Sequence, residues 1–397
     1  MKISRNKVSG RVDNGSTRAR VKKKVLKGSN SIPKEHHQIT LPLQLDETNG
    51  NCELPWDVLN IISKTLDFDN HFQFAAVCKN WRAFHKIYWT NFLASQQPLL
   101  VQLSFHNKGS FCFVTIPAQK VYCSTMANFL FHSVFVTSSS GYFIMASSNN
   151  SFSLIDPFTR IKKVTNICTF EYCDIHFASD KHALLAFDKC SEEFVLVFLC
   201  KRRLYVYQSR NCGWVSYSTM KNGEEVTDFV VLHNIIYVVT NKVNIGVLSL
   251  NSANIKFIKL KSTPRLRWRL ELKLVNCDEQ LLLVEICGDL VLKVYKIDFS
   301  TMDYVELKTL GDIALFYTVN GHCYASSNPS RWGYESNSVY VMASFYPECR
   351  VYSGDDSELH RKLQKYITIP VPLGIRTFPA DWYFRHIKYE IDYSLVE

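Results

Sequence analysis

The apolar positions change their period once along the chain, near residue 95. Between residues 54 and 82 they recur at helical spacing. Counting about 100° per residue from Pro55, Val58 falls near about 300°, Leu59 near about 40°, Ile62 near about 340° and Leu66 near about 20°. One arc of about 100° holds them all, which predicts an amphipathic helix with Pro55 in its first turn, where a missing N–H costs nothing. Asp67 and Asp69 break the pattern, and Asp69 or Asn70 is placed to cap a second helix. Counted from Phe74, the positions Val77, Cys78 and Trp81 repeat the same angles, and Phe84 to Trp89 reads as a short helix leading onward. Two stripes this short bury little against each other, so they need a third surface, in the rest of the chain or in another protein.

Beyond residue 95 the pattern is one of short strands. The runs are Leu99–Phe105, Phe111–Ile116, Tyr142–Ser147, Phe152–Ile155, Phe194–Leu199, Leu204–Tyr207, Phe229–Leu232, Ile235–Thr240, Gln280–Ile286, Leu290–Ile297, Tyr304–Leu307, Ala314–Val319, Val339–Ala343 and Tyr366–Ile369. Clusters of Asn, Asp, Ser, Gly and Lys separate them, and no long helical pattern intervenes. That arrangement predicts an antiparallel all-β domain, and its length suits a β-propeller better than a sandwich. No Gly-Gly doublet occurs among the 15 Gly, and the Trp-Asp pair at Trp56-Asp57 lies in the helical segment, so neither common propeller repeat is visible.

Composition changes this picture in two places. The formal net charge is +10, but residues 1–40 hold 11 Lys or Arg against only Asp13 and Glu35, which leaves the body of the chain almost neutral. That balance argues against a nucleic-acid-binding fold and moves the charge to a polar tail, residues 1–45, predicted to be disordered. Within it Arg18, Arg20, Lys22, Lys23, Lys24 and Lys27 form a cluster that serves as a nuclear localisation signal, a phosphate contact or simply a solvated tail. The 13 Cys include no C-x2-C pair, which argues against a zinc site. No secretory pattern and no membrane-spanning run is present, so free thiols in the cytosol or nucleus are expected.

Leu54-Pro55, the aliphatics Val58, Leu59, Ile62 and Leu66, then Val77-Cys78 and Trp81-Arg82 stand in an order that resembles the F-box, the helical module that docks on the Skp-type adaptor of cullin–RING ubiquitin ligases. Ser63 departs from the family, where an apolar residue is common, and the Leu66–Asp69 link lacks the frequent Leu-Pro. A second resemblance covers the strand region. Gly141-Tyr142-Phe143-Ile144 followed by Leu154-Ile155-Asp156-Pro157-Phe158-Thr159-Arg160, then Leu281–Val284, Val294–Asp298, Leu310–Phe316 and Asn337–Val341, are similar to plant F-box proteins with a kelch-like F-box-associated domain. The chain is thus expected to be a multidomain α+β protein, with an F-box at residues 50–92 and a propeller-like β domain at residues 95–385. The resemblance implies a substrate-receptor subunit that docks through Leu54, Pro55, Val58, Leu59, Ile62, Val77, Cys78 and Trp81 and reaches cullin and RING subunits through the adaptor. It implies an unidentified protein target and a nuclear or cytoplasmic location.

No nucleophile elbow, P-loop, dinucleotide fingerprint or H-E-x-x-H helix occurs. His182 and His233 read as edge or surface histidines, and neither a catalytic residue nor a cofactor or metal is expected. Trp332, between Arg331 and Gly333, is a candidate target contact or a loop residue tucked into its own blade. Two other functions stay open: a protein-interaction scaffold outside any ligase, and a nuclear nucleic-acid factor acting through the basic tail.

Overall fold

The structure, a computed structural model, describes residues 54–66, 70, 74, 77–94, 97–103, 110–125, 133–158, 161–168, 182–200, 203–217, 224–264, 270–319, 321–343, 348–355, 358–370, 380–385 and 387–395. The expected tail at residues 1–45, with its basic cluster, lies outside them. Two α-helices have both their bounds among the described residues, α1 (Trp56–Thr65) and α2 (Lys79–Ala94). Neither is long and apolar enough to cross a membrane. Pro55 stands one position before α1, where its carbonyl accepts the N–H groups of Val58 and Leu59. In the segment where the apolar angles place the second helix, Asn70 and Phe74 are helical, while the candidate cap Asp69 lies outside the described residues; α2 is the next helix. Cys78 caps it: the Trp81 N–H donates to the Cys78 Sγ at 3.4 Å, in the manner of a Ser or Thr N-cap. It then continues unbroken through Phe84–Trp89.

Six antiparallel or mixed sheets follow, one per blade. Blade 1 holds β1 (Leu99–Leu103), β2 (Ser110–Val114) and β3 (Val121–Thr125), and blade 2 holds β4 (Ser133–Ser139), β5 (Tyr142–Ser147), β6 (Phe152–Ile155) and β7 (Lys162–Val164). Blade 3 holds β8 (His182–Asp188), β9 (Phe194–Cys200), β10 (Arg203–Gln208) and β11 (Gly213–Tyr217). Blade 4 holds β12 (Val226–Leu232), β13 (Ile235–Thr240), β14 (Ile245–Ser249) and β15 (Asn254–Phe257). Blade 5 holds β16 (Glu271–Cys277), β17 (Gln280–Cys287), β18 (Leu290–Asp298) and β19 (Asp303–Leu307). Blade 6 departs from the meander. Its β20 (Ile313–Thr318) pairs antiparallel with β21 (Cys323–Ser327) and parallel with β22 (Ser338–Met342), and β23 (Glu348–Asp355) and β24 (Glu358–Thr368) complete it. The last strands return to earlier blades: β25 (Ala380–Tyr383) pairs with β1, and β26 (Glu390–Ile391) pairs in parallel with β8.

Why the ring forms is visible in β9, whose seven residues are all buried. Val195, Val197 and Leu199 enter a core shared with Val226, Phe229 and Val231 of blade 4. Phe194, Leu196 and Phe198 enter a second core shared with Ile144, Phe152 and Leu154 of blade 2. A strand buried on both faces reads as a continuous apolar run, and its period of two appears only as a division between two cores. Four further cores join blade 4 to 5, 5 to 6, 6 to 1 and 1 to 2, so the ring closes.

Closure depends on the residues of the sequence motif around Gly141 and Asp156. Ser140 and Gly141, with φ of 50° and 77°, form the two-residue turn from β4 to β5, a geometry that favours Gly. The Gly141 carbonyl accepts the Tyr383 hydroxyl at 2.8 Å. Asp156 closes its own turn through the Phe158 N–H at 2.9 Å and binds Arg385 at 2.7 and 3.2 Å. The motif therefore clasps the segment just after the closing strand. Both partners are nearly buried, with side chains 12% and 8% exposed. Arg385→Met removes the charge partner of the buried Asp156 carboxylate and is expected to cost about 3–5 kcal/mol. Adding Asp156→Asn should recover part of that loss, and thermal melts of the two single variants and the double variant measure it.

One expectation about cysteine fails. Cys112 and Cys123 face each other across β2 and β3, with Cα atoms 4.2 Å apart, and are joined in a disulfide. Their pairing is set by strand register, which spacing along the sequence does not display. Nine other cysteines are free among the described residues.

Candidate functional site

The helical module has its own small core. Leu59, Phe74 and Phe84 are buried, and Ile62, Leu66, Trp81 and Tyr88 pack around them. The rings of Phe74 and Trp81 lie 4.5 Å apart. Ser63 is also buried, and its hydroxyl donates to the Leu59 carbonyl at 2.7 Å, which explains how a polar residue occupies that side of the helix.

The expected docking residues divide between this core and the surface. Leu54, Pro55, Val58 and Val77 are exposed, Leu59 is fully buried, and Ile62, Cys78 and Trp81 are half-buried. Sequence reasoning passed over Ile61, which is 65% exposed. Ile61 falls at about 240° on the wheel that puts Val58 at about 300°. Thus α1 carries two apolar stripes side by side, Leu59–Ile62–Leu66 turned inward and Val58–Ile61 turned out. Trp56, Val77 and Ile87 are further exposed apolar residues of this module. An amphipathic helix needs only the first stripe to fold, so the second is available for a partner.

A different chemistry occupies the innermost strands of the ring. His182 of β8 and Asp228 of β12 are buried, with Nδ1 and Oδ1 3.2 Å apart. Lys273 of β16 stands 2.6 Å from the His182 Nε2 and 2.5 Å from Glu271. The Tyr317 hydroxyl donates to Glu271 at 2.8 Å. Across the same space, His322 is held by the Ala183 carbonyl at 2.8 Å, and its ring centre is 4.5 Å from that of His182. Burial drives the His322 pKa down to about 3, so the ring is neutral. Burial works to raise the Asp228 carboxyl, but the adjacent His182 and Lys273 outweigh it and leave it below the ordinary carboxylate range. Further round the ring, Asp381 of β25 accepts from the Thr137 and Thr318 hydroxyls and from the N–H groups of Ser138 and Trp382. Burial nonetheless pushes its pKa up.

Two protein families match the chain. The F-box domain matches residues 52–84. The KIB1-4 beta-propeller matches residues 113–364, more than half of the chain. The chain belongs to the KIB1-4 beta-propeller family. No curated protein sequence matches it significantly. Among solved structures it is similar to a functionally unknown protein from Desulfotomaculum acetoxidans DSM 771, at 11% identity and a TM-score of 0.36, over 72% of this chain and 98% of that one.

The expected order, a small helical F-box and then an all-β propeller, is therefore the order observed, and F-box domains generally bind Skp-type adaptors. In this KIB1-4 beta-propeller the expectation for His182 is overturned. It lies on an innermost strand among charged neighbours, whereas His233 is exposed in a tight turn. Trp332 packs partly buried against the core between blades 6 and 1, with the Arg331 guanidinium 3.7 Å from its ring centre.

Proposed function

We propose that this protein is the substrate-receptor subunit of a Skp–cullin–F-box ubiquitin ligase. The observation that carries the reading is the second, outward apolar stripe of α1, in a module that matches the F-box and precedes a propeller. In this reading the protein performs no bond chemistry itself. The helical module docks on the adaptor, the propeller grips a protein target, and the assembly holds that target near a charged ubiquitin-conjugating enzyme. The rate gain is one of proximity.

Leu54 and Pro55 precede α1 and are exposed. The double variant Leu54→Ala, Pro55→Ala is expected to weaken association with a Skp-type adaptor sharply while the propeller melts as in the wild type. Undiminished co-purification of that variant would contradict the docking assignment.

A further inference from the structure

We propose that the innermost strands form a binding site for a single divalent transition cation of the zinc class, held by His182, Asp228 and His322. The three residues come from blades 3, 4 and 6, and one donor atom from each lies within 4.8 Å of the others. All three are at least nine-tenths buried. Tetrahedral zinc ligands at about 2.0–2.1 Å from the metal stand about 3.4 Å apart, so the donors need to close by at most about 1.4 Å.

The surroundings orient two of the ligands, His322 and Asp228, as a metal site requires. The other nitrogen of His322, Nε2, is tied to the Ala183 carbonyl, which leaves Nδ1 as a lone-pair donor. The other oxygen of Asp228, Oδ2, accepts the Leu274 N–H at 2.8 Å. Such outer partners fix ring orientation and tautomer in metal sites. The inward atoms, His182 Nδ1 and Asp228 Oδ1, have no aligned hydrogen bond despite their 3.2 Å approach. Two buried polar atoms thus face the same point without a satisfactory partner, an arrangement that costs stability unless something binds there.

Charge points the same way. Asp228 and Glu271 face one cation, Lys273, so the cluster retains one negative charge. Lys273 approaches His182 from its Nε2 side, away from Nδ1. When the cation binds, the Nδ1 lone pair of His182 goes to the metal, the imidazole carries its one proton on Nε2, and Lys273, which faces Nε2, gives up one proton to solvent and accepts from that nitrogen. Two positive charges enter and one leaves, which makes the buried cluster neutral. The ligands are far apart in sequence, so no spacing motif announces them.

The test is titration of the chelator-treated full chain with Co²⁺, followed by visible absorption. The expected result is one equivalent bound, with d–d bands and no sulfur charge-transfer band. His322→Gln keeps an amide N–H for the Ala183 carbonyl and removes the Nδ1 donor. Since changes to outer partners alone cost about 10–100-fold in affinity, loss of a ligand is expected to weaken binding at least about 100-fold. Asp228→Asn, which still accepts from Leu274, is the second variant and should behave alike. Replacing the exposed Cys190, Cys212 and Cys287 by Ser should leave the bands unchanged. Absence of binding by the wild type, thiolate bands, or equal binding by both ligand variants would overturn the proposal.

Discussion

Val58→Glu with Ile61→Glu is expected to abolish adaptor docking and to leave the helical module folded. Both side chains are exposed on α1, so the substitutions remove no core contact; surface changes of this kind usually stay within about 0.5 kcal/mol of stability. In the docked state the same two carboxylates would be unpaired in a dry interface, at a cost of several kcal/mol. Each 1.4 kcal/mol is tenfold, so affinity should fall by at least about 100-fold. Leu59→Asp is the informative contrast. Leu59 is fully buried against Phe74 and Phe84, and an aspartate there should destroy the hairpin and docking together. Far-ultraviolet circular dichroism of residues 50–92 fused to an inert carrier, beside adaptor binding by the full chain, separates the two outcomes. Normal docking by the double glutamate variant would move the docking face to another part of the module.

Removal of residues 380–397 is expected to prevent the propeller from folding. The deletion takes away β25, the inner strand of blade 1, although the other three strands of that blade lie near the start of the domain. Trp382 and Tyr383 are fully buried, and the Trp382 indole N–H donates to the Tyr317 carbonyl. Trp382→Ala alone is expected to cost about 3–5 kcal/mol. The deletion also removes the Asp381 hydrogen bonds and the Arg385 clasp, and only roughly 5–15 kcal/mol holds a typical domain together. Soluble monomeric yield and a thermal melt measure it. A truncated chain with a cooperative melt near the wild-type temperature would show that the ring stands without its closing strand.

What the sequence disclosed follows the division between the outside and the inside of each blade. Tyr142–Ser147, Phe152–Ile155 and Ile235–Thr240 are strands with the bounds their apolar runs predict, because middle strands are buried on both faces. Of the innermost strands, β12 shows in the run Phe229–Leu232, whereas none of the predicted runs falls on β4, β8, β16 or β25. β4 reads Ser-Val-Phe-Val-Thr-Ser-Ser, its polar residues interrupting the apolar run, whereas β8 carries the run Ala183–Phe187, which the strand reading passed over. Residues such as Thr137, Lys273 and Asp381 look like loop residues until register places them side by side. The docking module was legible as a helical hairpin, but a wheel of about 100° per residue does not say which edge of a wide apolar arc faces inward. That is why Leu59 and Val58 appeared equivalent and Ile61 went unnoticed. Asp156 carried a recognisable motif, yet its partner Arg385 lies more than 200 residues onward, and only closure of the ring brings them together.

The most direct measurement is affinity purification of the tagged full chain, with quantitation of Skp-type adaptor, cullin and RING subunits. The account expects all three in near-stoichiometric amounts with the wild type and their joint loss with Val58→Glu, Ile61→Glu. Recovery of propeller-bound proteins without adaptor or cullin would contradict the ligase reading and identify the protein as an interaction scaffold.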